Sequence, residues 1–179
     1  MMNYFTKEWY RFMVSLVPQS DLHGIKDFNR YNDRAQLRIA INDIVMKLYE
    51  ERRQQDKVNR PKFLRFDEET LHDREILETS KEANNCTIKM SIPGKCDSSI
   101  QTLKLVDAKC WAATDAPYPF KQEEDSNRLY WMHHELYYID GLYELHILAT
   151  CFNSEKMAVE PYRYSFTCRD IIEEYKHQL

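Results

Sequence analysis

Tyr130-Trp131-Met132-His133-His134-Glu135-Leu136-Tyr137-Tyr138-Ile139-Asp140-Gly141-Leu142-Tyr143-Glu144-Leu145-His146-Ile147-Leu148 is the stretch that decides the fold. Two β-prone runs rich in Tyr, Ile and Leu flank an Asp-Gly pair, among the strongest short-range hairpin signals. A two-residue loop pairs Ile139 with Leu142, and so Tyr137 with Glu144, Glu135 with His146 and His133 with Leu148. One face then carries Met132, His134, Leu136 and Tyr138 against Tyr143, Leu145, Ile147 and Ala149, and is expected to face the core. The other collects His133, Glu135, Glu144 and His146. A one-residue slip would exchange the two faces and move His134 to the polar side.

Outward from the hairpin, the N-terminal half has helical spacing. Phe5, Trp9, Phe12, Met13 and Leu16 recur at three and four residues over 6–17, with Thr6 placed to cap and Pro18 to stop the run. Ser20-Asp21 is a second cap candidate. Phe28, Tyr31 and Ala35 lead into Leu37, Ile41, Ile44 and Leu48, one stripe of a helix reaching about residue 54, with a bend or break expected near Asn32. Pro61 ends that segment. Asp67-Glu68-Glu69-Thr70 predicts a third, acidic helix through Thr79, since negative charge suits a helix N-terminus.

From Cys86 the period changes to two. Cys86, Ile88, Met90 and Ile92 alternate with polar residues before a Pro93-Gly94 turn. Leu103, Leu105 and Val106 predict a strand running toward Trp111, and the segments 116–119 and 123–125 a polar loop. Tyr162 to Arg169 alternates aromatic and polar residues as a last strand before a short tail. Helices first and strands later, without βαβ alternation, predict an α+β fold: N-terminal helices packed with a C-terminal antiparallel sheet of about five strands. The 179 residues suit a single domain, helical over 1–82 and sheet-forming over 83–179.

Composition narrows the function classes. A hydrophobic fraction of 43% with 13% aromatics argues for an ordered core. The 25 basic and 29 acidic residues leave a net charge of −4, with no global pull toward nucleic acid or an anionic membrane. No apolar run approaches the ~18 residues of a membrane span and no secretory leader opens the chain, so a cytoplasmic location is expected. Five cysteines, Cys86, Cys96, Cys110, Cys151 and Cys168, lie too far apart for CxxC chemistry and are expected as buried thiols.

Three clusters are candidates for function. His133, Glu135, Glu144 and His146 share a hairpin face with opposed Cβ atoms about 5 Å apart, so two imidazoles and a carboxylate could surround zinc or iron. The alternative is an ordinary polar sheet face, where a Glu135–His146 pair adds less than about 1 kcal/mol. Between residues 52 and 65, Arg52, Arg53, Lys57, Arg60, Lys62 and Arg65 oppose only Asp56, a local net of +5 that could touch phosphates unless the acidic segment from Asp67 neutralises it. Trp131, Tyr137, Tyr162 and Tyr164 are candidates for a protein contact surface, as Tyr and Trp bury much area at little entropic cost. Cys151 and His146 fall on opposite strand faces, which disfavours a Cys-His nucleophile there.

The opening Tyr4-Phe5-Thr6-Lys7-Glu8-Trp9-Tyr10, together with Tyr130-Trp131-x-x-x-Glu135 and Gly141-Leu142-Tyr143-Glu144-Leu145-His146-x-Leu148, resembles a domain-of-unknown-function family of Gram-positive bacteria. The resemblance spans most of the chain and implies a bacterial cytoplasmic protein. It transfers no functional residue.

The leading expectation is a non-enzymatic protein-binding protein, comparable in size, acidity and architecture to small immunity proteins that neutralise toxins. Its expected partner is another protein, with no cofactor, no membrane and no nucleic acid. The alternatives are a metal-dependent enzyme using the hairpin cluster and a nucleic-acid accessory protein using residues 52–65.

Overall fold

Thr6 starts the first helix: its Oγ1 accepts the Trp9 amide at 3.0 Å, a side-chain N-cap, and α1 runs Lys7–Leu16. The computed structural model describes residues 4–16, 28–68, 71–92, 99–110, 119–121, 128–153 and 158–176. Pro18, Ser20-Asp21, Pro93-Gly94, Cys96, Trp111 and most of the expected polar loop lie outside those residues. Helix α2 is continuous over Phe28–Lys57, so the expected break at Asn32 is absent. Helix α3 is a single turn, Arg65–Glu68.

The third helix expected to reach Thr79 is therefore corrected. Asp73 takes left-handed backbone at φ 65°, its amide donates to the Trp131 carbonyl at 2.8 Å, and the chain turns into strand β1, Arg74–Glu82. Helix-compatible Glu and Lys residues lose here to pairing, because Ile76 and Thr79 find buried places in the sheet. The remaining strands are β2 Asn85–Ser91, β3 Ile100–Val106, β4 Lys109–Cys110, β5 Phe120–Lys121, β6 Leu129–Ile139, β7 Leu142–Asn153, β8 Ala158–Cys168 and β9 Asp170–Lys176. The fold is α+β with an antiparallel sheet that has nine strands among the described residues, rather than about five. The additional strands include β1, read as helix, and β9, read as a tail.

The strand order, β4-β8-β7-β6-β1-β2-β3-β9, places β4 and β9 at opposite ends. Yet only Asp107 and Ala108 separate β3 from β4, and only Arg169 separates β8 from β9. The register runs unbroken through both gaps: Val106↔Asp170 is followed by Lys109↔Thr167. Hence β3–β4 and β8–β9 are the two sides of one bent ladder, and the sheet curls until its ends meet as a small barrel. Asp107 at φ 52° makes the bend, and the Arg169 amide holds it by donating to the Val106 carbonyl at 2.9 Å. A barrel this small has no room for a channel. Trp131, Tyr143, Tyr164, Phe166, Leu103, Leu105, Ile88 and Met90 fill it.

The hairpin register is the expected one, from Ile139↔Leu142 through Glu135↔His146 to His133↔Leu148. Asp140 (φ 53°) and Gly141 (φ 81°) supply the left-handed pair that a type I′ turn requires. One detail differs. A bulge between Trp131 and His133 pairs Trp131 with Ala149, so Trp131 enters the barrel while Met132, expected inside, packs with the helices outside. Those helices form a second layer over β6 and β7, with Phe5, Tyr49 and Leu148 at its centre and Trp9, Tyr10, Val45 and Met132 around them.

Candidate functional site

The polar hairpin face is not an open, solvated one: α1, α2 and the residues leading into α1 lie over it. Glu135 is fully buried. Its Oε1 accepts the amides of Tyr4 at 2.6 Å and Phe5 at 2.8 Å, and its Oε2 accepts the Tyr137 hydroxyl at 2.6 Å. The carboxylate thus anchors the start of the chain to the sheet. His133 stacks on Phe5 with centroids 4.5 Å apart and meets Trp9 and His72 edge-on. Burial drives its pKa down to about 3, with the neighbouring His72 and His134 adding to the effect, so the ring is neutral at pH 7. The His146 Nδ1 lies 2.8 Å from Ser165 Oγ, and burial lowers its pKa to about 4. Its Nε2 lies 3.6 Å from Glu144. The four residues expected to converge on an ion are spent on separate contacts, and among the described residues no three His, Cys, Asp or Glu groups are placed to hold a metal.

A residue that sequence reasoning did not single out sits at the centre of the charge network. Asp67, read as the opening of an acidic helix, has a buried carboxylate that Arg60 Nη1 reaches at 2.5 Å and Arg53 Nε at 3.1 Å. His134 Nε2 lies 3.3 Å from its other oxygen, while His134 Nδ1 faces Trp131 Nε1 at 3.4 Å. Because the indole can only donate, Nδ1 accepts and Nε2 carries the proton toward Asp67. Burial pushes the Asp67 pKa up, but the His134 hydrogen bond and the charges of Arg60 and Arg53 outweigh it and hold the group well below the usual carboxylate range. The basic stretch is largely consumed in such pairs: Arg52 with Asp56, Arg53 also with Glu50 and Glu68, Lys57 with Glu68, and Lys62 with Asp170. Arg65 lies over the Tyr175 ring. Asp67 and Glu68 of the acidic segment thus neutralise part of the basic one, and Glu50, Asp56 and Asp170 pair with others of its members.

The aromatic contact candidates are also inside. Trp131 and Tyr164 belong to the barrel interior and Tyr137 is buried beneath the helices. Tyr162 is half-buried against the core. The expected aromatic contact surface on the sheet is therefore corrected: alternation placed these rings on strands without showing that the sheet closes on them. Cys86, Cys151 and Cys168 are buried thiols as expected and Cys110 is half-buried.

Among the described residues, two features outside the cores lie open to a ligand. A cleft between α2 and β6 consists of two adjoining cavities of about 380 Å³ and about 320 Å³. They share Asn42, His72, Met132 and His133, and Phe5, Tyr49 and Trp9 line their deeper walls. The second is the solvent side of α2. Leu37, Ile44 and Leu48 are 49%, 60% and 48% exposed, and Ile41 beside them is half-buried. This is the stripe the sequence showed, but it does not face the barrel. Val45 and Tyr49, about 100° further round at 100° per residue, make that contact.

No family model, no curated protein and no solved structure matches the chain. Among the described residues no helix is long and apolar enough to cross a membrane.

Proposed function

We propose that the protein is a non-enzymatic protein-binding module whose contact surface is the solvent side of α2. The supporting observation is that the helix carries two apolar rows and the fold uses one. Val45 and Tyr49 dock on the sheet, while Leu37, Ile44 and Leu48 stand in water. Scattered exposed apolar residues are ordinary on a protein surface, whereas a contiguous row over three helical turns marks an interaction site. The ionisable groups beneath the helix add support, because Glu135, Asp67 and His146 serve as anchors and partners within the fold. The test is capture from source-cell lysate on immobilised wild type and on Ile44→Asp, with circular dichroism to establish equal folding. A protein held by wild type and released by Ile44→Asp supports the reading; identical captures on both overturn it.

The cleft favours a second reading, a small-ligand site. Its cavities fall in the range of small-molecule pockets, ~300–1,000 Å³, and Phe5, Met46, Tyr49, Leu71 and Met132 give the larger one apolar walls. Anilinonaphthalene sulfonate serves as the probe: fluorescence that Met132→Trp abolishes supports a ligand cleft, and no enhancement on wild type removes it.

A further inference from the structure

The exposed row on α2 reads the same in both directions. Leu37, Ile41, Ile44 and Leu48 are spaced by four, three and four residues, symmetric about the step between Asn42 and Asp43. Three residues before the row stands Arg34, half-buried, and three residues after it stands Glu51, exposed. The ends of this symmetric apolar row therefore carry opposite charges.

We propose that the occupant of this face is α2 of a second copy of the same chain, lying antiparallel across a two-fold axis at Asn42–Asp43; this rests on the reading of α2 as the contact surface. Spacing by four and three is the repeat by which two helices interlock side chains. In the antiparallel arrangement Leu37 meets Leu48 of the partner subunit and Ile41 meets Ile44 of the partner subunit. Arg34 meets Glu51 of the partner subunit at both ends, where opposite charges set orientation. Turned parallel, the same helices would bring Arg34 against its own copy and Glu51 against its own copy. On the flanks, Arg38 falls across from Val45 of the partner subunit and Lys47 across from Ala40 of the partner subunit, so neither side sets like charges in opposition. An isologous pairing of this kind closes on itself and cannot propagate into a fibre.

From Arg34 to Glu51 the contact runs about 25 Å along the helix. That is a short interface, at the small end of specific ones, so association is read as a concentration-dependent equilibrium. Sedimentation equilibrium of the full chain, from dilute protein to its solubility limit, gives the mass directly. Wild type is expected to rise from 21.6 kDa toward twice that value, and Ile44→Asp to stay at the monomer mass with an unchanged circular dichroism spectrum. Arg34→Glu alone and Glu51→Arg alone are each expected to weaken the dimer at least tenfold, and the two changes in one chain to restore it, since every end pair is then remade with its signs reversed. A wild type monomeric at all concentrations overturns the proposal. So does a dimer indifferent to Ile44→Asp, or a double charge exchange that fails to restore association. If wild type is monomeric and Ile44→Asp still releases a captured protein from lysate, the contact surface stands and only the second copy falls.

Discussion

The Glu135 carboxylate accepts the backbone amide of Phe5 at 2.8 Å, joining residues 130 apart in the chain. The same oxygen takes the Tyr4 amide, so a buried charge holds the strand of residues that leads into α1. Hydrogen bonds to a charged group contribute ~1.5–3 kcal/mol each. Glu135→Gln keeps the shape but replaces one acceptor by a donor facing donors, and is expected to cost about 2 kcal/mol. Urea unfolding gives the magnitude. Hydrogen exchange gives the location: amides of Phe5 to Leu16 are expected to lose protection before those of the barrel, and uniform loss would mean that the anchor is not local.

The Arg60–Asp67 pair is a second buried contact, and its two members respond differently to removal. Asp67→Ala leaves the Arg60 guanidinium inside without its carboxylate and also strips Arg53 and His134 of a partner. Breaking a buried pair from one side typically costs ~3–5 kcal/mol. Arg60→Met with Asp67→Leu removes both charges and is expected to be milder than Asp67→Ala alone. Thermal unfolding of the three proteins decides it; a double variant as damaged as the single one would mean that the pair is needed for more than charge balance.

Acid is expected to destabilise the protein between pH 7 and pH 5. His133 and His146 have folded pKa values lowered to about 3 and about 4, against ~6.5 in the unfolded chain. Below 6.5 the unfolded state binds protons that the folded state refuses, so stability falls as pH falls until the folded values are reached. At pH 5 the two contribute a loss on the order of 2 kcal/mol each. Asp67 works lower: its depressed pKa contributes stability that is complete above the unfolded value of ~3.9, so it is silent in this window. His133→Phe preserves the stack on Phe5 and removes one titration. Urea midpoints at pH 7 and pH 5 are expected to lie closer together in that variant than in wild type, and an unchanged gap would assign the effect elsewhere.

Signals within a few residues were legible in the sequence, and those that depend on distant partners were not. Thr6 and the Asp140-Gly141 pair act on their own neighbours, and both the cap and the hairpin register form as read. The bulge at Met132 depends on Trp131 fitting a barrel that neighbouring residues do not reveal. Asp67 and Glu68 have the composition of a helix start, but Arg60, sent back from the end of α2, turns Asp67 into the hub of a buried network. The segment after Arg169 read only as a short tail. In the fold it is β9, and its Glu173 carboxylate accepts the amides of Arg65 at 2.9 Å and Phe66 at 2.6 Å, holding α3 in place. The four hairpin side chains do not converge for the same reason: residues from the other end of the chain supply Glu135 and His133 with contacts.

Gly141 tests the turn itself. Its φ of 81° is strained for any side chain, while an added Cβ would meet nothing within 4 Å, so the penalty for Gly141→Ala is conformational and not steric. About 1 kcal/mol is expected, the cost of left-handed backbone for an L-residue. Asp140→Asn, which tolerates the same region and suits a type I′ turn, is expected to be neutral. Chemical denaturation separates the two variants, and equal losses would shift the cause to the aspartate side chain.

Adjacent residues on α2 give the sharpest contrast. Leu48 is 48% exposed and Tyr49 is 6% exposed. Tyr49 packs edge-on against Phe5 with centroids 5.2 Å apart, and its hydroxyl accepts the Leu136 amide at 3.4 Å. Tyr49→Ala opens a void between helix and barrel and leaves that amide without its acceptor, so a loss of ~3–5 kcal/mol is expected. Leu48→Ala is expected to stay within ~0.5 kcal/mol, as surface changes do, when measured on dilute protein where association plays no part. In capture and sedimentation the order reverses for the face itself: Leu48→Ala weakens association while leaving the fold intact. A leucine that mattered equally for folding in dilute solution would mean that the outer row packs within its own chain, and the surface assigned to binding would have to be sought elsewhere.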